Sequence, residues 1–145
     1  MMQGSKSDLR LCGYKLGDDI LFYLQDNVLI NFSKNNFSRV QFRTTMANLL
    51  LYLLSYSDGN YITDDEIMAN VWEKNNLQAS SHRLWQVSRD LRLKLHEVGL
   101  RSELFYRVER RGFSVNNTLV MPIYCDDNSP KPRILSVPSR ELSRA

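Results

Sequence analysis

Ser80-Ser81-His82-Arg83-Leu84-Trp85-Gln86-Val87-Ser88-Arg89-Asp90-Leu91-Arg92-Leu93-Lys94-Leu95 is the stretch on which the reading of this chain turns. Two polar residues open it. Leu84, Val87, Ser88, Leu91 and Leu95 then recur at helical spacing, and Gly99 breaks the pattern. Place Leu84 at the centre of the inner face, and the other four fall within about 60° of it at roughly 100° per residue. The spacing predicts a helix over 81–98. His82, Gln86, Arg89 and Leu93 then point outward. Arg83 and Asp90 lie on one flank, Trp85 and Arg92 on the other. Trp85 is expected to be core or half-core, since tryptophan is highly buried on average, with packing beside the wing or stacking on a sugar as the alternative.

Two short apolar runs follow, Leu104 to Val108 and Phe113 to Val115, joined by Glu109-Arg110-Arg111-Gly112. They read as a hairpin with its tip at 109–112. Gly112 is expected to supply the tight turn or positive φ of a short connection. Arg110 and Arg111 then sit at the tip, clear of the core. Arginines on a thin projection suit phosphate contact or a narrow minor groove. Arginine pairs with guanine, and glutamine with adenine, in the major groove. A helix that exposes His, Gln and Arg, followed by such a hairpin, therefore points to double-stranded DNA.

Upstream, the chain reads as a scaffold for these two elements. Residues 1–12 look like a flexible arm. Ile20 to Leu24 and Val28 to Ile30 flank Asp26-Asn27, a two-residue hairpin signal. Lys34-Asn35-Asn36 is a second turn, and Phe37 to Phe42 a further strand, which makes a small antiparallel sheet. Met46, Leu49, Leu50, Leu53 and Leu54 mark a helix with Thr44 or Thr45 as its cap, stopped at Ser57-Asp58-Gly59-Asn60. Thr63-Asp64-Asp65-Glu66 is a capping box for a second helix, whose buried face is Ile67, Met68, Val71 and Trp72. A polar loop, 73–79, leads into the long helix. After Asn117 four prolines and several serines suggest an irregular tail over 118–145, with one extra strand at 119–124. The domain proper is expected over 13–117.

The fold class implied is α+β: an N-terminal antiparallel sheet, three helices and a C-terminal β-hairpin. The 145 residues fit one domain with some tail, and a 43% hydrophobic fraction suffices for a core. No apolar run approaches the roughly 18 residues needed to span a bilayer. Met1 to Asp8 lacks a signal peptide's apolar segment, so a cytoplasmic location is expected. Net charge is only +3, but residues 83–111 carry eight Lys/Arg against four Asp/Glu. The basic excess thus falls on the helix and hairpin. Cys12 and Cys125 are expected to be two ordinary thiols in a reducing compartment, with Cys125 exposed in the tail. His82 and His96 lie too far apart on one helix for a metal site. No nucleophile–base pair, phosphate-binding glycine loop or carboxylate dyad is legible. Neither an enzyme, nor a cofactor, nor a metal is expected.

The order of elements resembles the OmpR/ToxR-type winged-helix transcriptional regulators. Ile67-Met68-Ala69-Asn70-Val71-Trp72 is similar to that family's second helix, which ends in Val-Trp. Leu91-Arg92-Leu93-Lys94-Leu95 is similar to its Leu-Arg-x-Lys-Leu. Arg107-Val108-Glu109-Arg110-Arg111-Gly112-Phe113 resembles its wing, closest to the ToxR/CadC branch, in which Lys-Arg-Gly-Tyr is typical. The family usually has an aliphatic residue where this chain has Ser88. The resemblance implies the long helix in the major groove and the wing on the adjacent minor groove or backbone. It makes Ser80, Ser81, His82, Arg83, Gln86, Arg89, Arg110 and Arg111 the DNA-binding candidates, and Thr44 and Lys94 the phosphate contacts. It also implies a contact of 73–79 with RNA polymerase and self-association on tandem half-sites. The alternative function is a winged-helix protein-interaction module that does not itself bind DNA specifically, suggested by low net charge and an outward Leu93.

Overall fold

The computed structural model describes residues 9–33, 36–56, 61–109 and 111–126. Four strands lead the chain: β1 Leu9–Leu16, β2 Ile20–Tyr23, β3 Val28–Ser33 and β4 Asn36–Gln41. They form an antiparallel meander, and β8, Val120–Asp126, closes it on the far side of β1, giving the order β4-β3-β2-β1-β8. Tyr14, Leu16, Ile20, Phe22 and Leu29 face the main core. Leu21 and Tyr23 alternate with Ile20 and Phe22 along β2, so they lie on the opposite face of the sheet. There they pack against a smaller cluster of Cys12, Ile123 and Cys125.

Several expectations need correction here. Of the stretch read as an arm, residues 9–12 belong to β1 and residues 1–8 lie outside the described residues; Leu9 to Leu11 gain strand partners from Asp126 to Tyr124, more than a hundred residues downstream. The strand expected at 119–124 runs Val120–Asp126, and residues 127–145 lie outside the described residues. The β2–β3 connection is a four-residue loop, because Tyr23 pairs directly with Val28. Leu24 is drawn into that loop by its amide, which donates to the Cys12 carbonyl (3.0 Å), and Asn27 closes it at φ 52°. The two cysteines are joined. Cys12 and Cys125 form a disulfide between β1 and β8, with 5.7 Å between Cα atoms, and both are buried. A β-bulge between Leu11 and Gly13 sits beside Cys12.

Three helices follow among the described residues. α1, Thr44–Ser55, buries Ala47, Leu49, Leu50, Leu53 and Leu54. Its N-cap is Arg43, not a threonine, and no side chain caps it. The stop expected at 57–60 lies outside the described residues, after the helix has ended at Ser55. β5, Tyr61–Thr63, leads into α2, which begins at Asp64–Ile67 with the full Thr63/Glu66 capping box. The helix widens to π-form over Met68–Trp72 and ends as a 3-10 turn over Glu73–Asn75. Asn76, in the left-handed conformation, terminates it: its amide donates to Glu73 O, and that of Leu77 to Trp72 O, a Schellman closure. α3, Ser81–Glu97, is capped by the Ser80 hydroxyl, which accepts from the Arg83 amide at 3.1 Å.

The far end of α3 closes in the same way. Gly99 (φ 111°) donates to His96 O and Leu100 to Leu95 O, and the buried Leu95 and Leu100 belong to the same core. Asn31 of β3, buried, donates through Nδ2 to the Val98 carbonyl at 2.7 Å. An otherwise orphan carbonyl at the helix end is thus satisfied by the N-terminal sheet, which anchors α3 to it. β6, Phe105–Val108, and β7, Gly112–Val115, form the hairpin, and β5 adds to β7 to make a three-stranded sheet.

Candidate nucleic-acid interface

The rotation of α3 is set by what it buries. Leu84, Ser88, Leu91 and Leu95 are the buried residues of the helix, and Val87 is half-buried. Ser88 fits a position where an aliphatic residue is usual because its hydroxyl donates back to the Trp85 carbonyl (3.0 Å). Its one polar group is thus satisfied inside the helix. Ser81, His82, Arg83, Gln86, Arg89 and Leu93 are exposed, as the helical geometry requires. Ser80 is also exposed, but its oxygen is engaged as the cap.

Trp85 departs from expectation. It is 55% exposed rather than core. Its flank position, about 100° from Leu84, lies just beyond the buried arc. The ring of His82 stacks toward it at 6.3 Å, and the Arg89 guanidinium lies over it at 5.4 Å. His82, Trp85 and Arg89 thus form a continuous ladder along the exposed helix surface. The sequence carried the signal in the spacing of these residues; the average burial of tryptophan masked it.

The start of α1 lies beside this face. Arg43, Thr44, Thr45 and Met46 line one groove together with Gln86 and Asp90 of α3. Arg43 and Thr44 are exposed, and the first amides of α1 have no side-chain cap. Free helix amides and a guanidinium favour an anion. Thr44, a candidate from the sequence, lines this groove, and Arg43, which the sequence did not single out, lines it too. Lys94 is half-buried in a neighbouring recess lined also by Gln41, Arg43, Asp90, Leu93 and Glu97.

The hairpin is braced from both sides. Arg92 of α3 donates to Glu103 (3.1 Å) and to the Phe105 carbonyl (3.3 Å), with its guanidinium 4.8 Å over the Phe105 ring. Phe105 meets Phe113 edge-on at 5.8 Å. Arg107 makes a two-pronged contact with Asp64 at 2.7 and 3.1 Å and covers the Phe113 ring at 4.7 Å. Arg111 is exposed, but its carbonyl accepts from the Asp64 amide (2.7 Å). The hairpin is thus tied to the start of α2. Arg110 lies outside the described residues.

Gly112 has a different role from the one expected. Among the described residues of the turn, the left-handed one is Glu109, at φ 50°. At Gly112 a Cβ would collide with the Ile62 carbonyl oxygen and stand 2.9 Å from the Tyr61 ring. Glycine is required there because β5 approaches too closely for any side chain.

No protein-family model matches the sequence, and no curated protein matches it closely. Solved structures do. The DNA-binding domain of E. coli CadC superposes with a TM-score of 0.58 at 21% identity, covering 79% of this chain and 95% of that one. The DNA-binding domain of the response regulator AdeR, in complex with an intercistronic region, gives 0.56 at 18% identity, covering 70% and 98%. This chain has the winged-helix fold. α3 is the third helix of that fold and the β6–β7 hairpin its wing. Both neighbours are of the OmpR/ToxR kind to which the sequence motifs point. Among the described residues, no helix is long and apolar enough to cross a membrane.

Proposed function

We propose that this protein is a sequence-specific, double-stranded-DNA-binding transcriptional regulator. α3 enters the major groove, and the wing, 109–112, lies on the minor groove or backbone. The observation that carries this reading is the surface formed by α3 and the start of α1. Gln86 and Arg89 stand exposed in the outward arc, Arg83 beside them, and Arg43 and Thr44 border the arc at an uncapped helix start. Base-reading donors are thereby set next to a phosphate-attracting site, the pairing that groove recognition needs. Arg111, with Arg110 from the sequence, adds backbone contacts from the wing.

Loop 73–79 is exposed except at Ala79, and we propose it as the contact for RNA polymerase. Self-association on tandem half-sites belongs to the same reading. Leu93, 51% exposed on the outward arc, and Leu77, 43% exposed in the loop, are what a protein-docking module would use instead.

The test is titration of the full chain with a duplex selected from a random pool and with unselected duplex, at two salt concentrations. The expected result is preference for the selected duplex, by a factor of about 10³ or more, and a steep fall of affinity with salt. Equal, weak binding to both duplexes would remove the regulator reading and favour protein docking through Leu77 and Leu93.

A further inference from the structure

The ladder on α3 carries more than general DNA affinity. Trp85 is 55% exposed on a helix whose other outward residues, Leu93 apart, are polar. Its indole is held by the His82 ring one turn before it and by the Arg89 guanidinium one turn after. Trp85 borders the outward arc on the side of Arg92, which is itself fixed to Glu103 and the Phe105 carbonyl. The indole is therefore a presented apolar surface between the reading face and the wing.

The major groove offers one apolar feature among its base edges, the C5 methyl of thymine. Among the base edges, that methyl is the group an indole ring can cover. Arg89, folded over the ring at 5.4 Å, keeps its donors within one or two base pairs of whatever the ring touches. A guanidinium that stacks on one face still has its in-plane N–H fork free for guanine O6 and N7. We infer that Trp85 reads the methyl group of a thymine, and that Arg89, aligned by the indole, reads a guanine beside it. This rests on the proposed DNA-binding function and names the chemistry of one of its subsites.

The experiment removes one methyl at a time. Each thymine of the selected duplex is replaced by uracil, and the full chain is titrated against each substituted duplex, as wild type, as Trp85→Ala and as Trp85→Phe. In the wild type, uracil at one position, next to or one pair away from a guanine, weakens binding about fourfold, the worth of one buried methyl. Trp85→Ala loses that difference, and Trp85→Phe keeps much of it. Sequence-specific binding with every uracil neutral would overturn the inference while leaving the regulator reading intact. So would a methyl dependence that survives Trp85→Ala. If the wild type shows no sequence preference at all, the regulator reading fails and takes this inference with it. Because Trp85 is exposed, an unchanged thermal midpoint is expected for both variants and checks that they fold.

Discussion

The outward face of α3 and the wing both carry arginines, but they hold them differently. On α3, Arg83 and Arg89 are exposed and, among the described residues, face no carboxylate within ion-pairing distance; Arg89 rests on an aromatic ring, which leaves its donors open. On the hairpin, Arg107 is locked to Asp64 and to the Phe113 ring, and Arg92 ties the hairpin to α3. Near-equal positive charge in the two regions therefore does different work. In α3 it is available to a ligand. In the hairpin one of the two described arginines, Arg107, helps to hold a short three-stranded sheet against α2, and the other, Arg111, is exposed. A basic residue in the hairpin is therefore not by itself a basic residue open to a ligand, as Arg107 shows.

Substitutions can break or sharpen this contrast. The largest effect is expected from Phe113→Ala, which removes a buried ring packed against Phe105 and Arg107 and should cost about 3–5 kcal/mol of stability in urea unfolding. A loss below about 1 kcal/mol would mean that the hairpin does not depend on its apolar underside. Next comes the disulfide. It closes a loop with a sequence separation of 113 residues. Reduction should lower stability by about 2–4 kcal/mol, with the α3 surface untouched. Thiol titration of the unfolded, unreduced protein should find no free Cys12 or Cys125; two titrating thiols would contradict the pairing.

Gln86→Ala comes third. It should weaken binding by about 1–3 kcal/mol at a single base position and move stability by less than about 0.5 kcal/mol. An equal loss on all sequences would turn Gln86 into a backbone contact. The smallest effects belong to the two wing arginines, and they should separate. Arg107→Ala should cost about 1 kcal/mol or less in stability, because its ion pair is partly exposed, and should leave the salt dependence unchanged. Arg111→Ala should leave stability unchanged and flatten the slope of log affinity against log salt by about 0.9. The reverse assignment would show that Arg107 leaves Asp64 to bind phosphate.

Local signals made much of this legible in the sequence. The α3 limits, the Thr63/Glu66 box and the outward set His82, Gln86, Arg89 and Leu93 all follow from spacing within a few turns, whereas the cap at Ser80 was not read. What stayed hidden depends on partners remote in sequence. The strand at 119–124 was legible, but its return to β1 across the whole domain was not, and neither was the disulfide that this pairing permits. Gly112 was legible as essential but not for its reason, which is the approach of β5. Arg107 looked like a wing charge until Asp64, 43 residues earlier, was placed beside it. Trp85 was misjudged because it lies at the edge of the buried arc, where average burial says little.

In the proposed function, base reading belongs to α3 and non-specific contact to the wing. Selection from random duplex DNA, run in parallel for the wild type and for Gln86→Ala with Arg89→Ala, tests it most directly. The expected result is a defined wild-type motif that loses preference at one or two positions in the double variant and keeps the rest. An identical motif from both proteins would contradict the account and move base reading elsewhere.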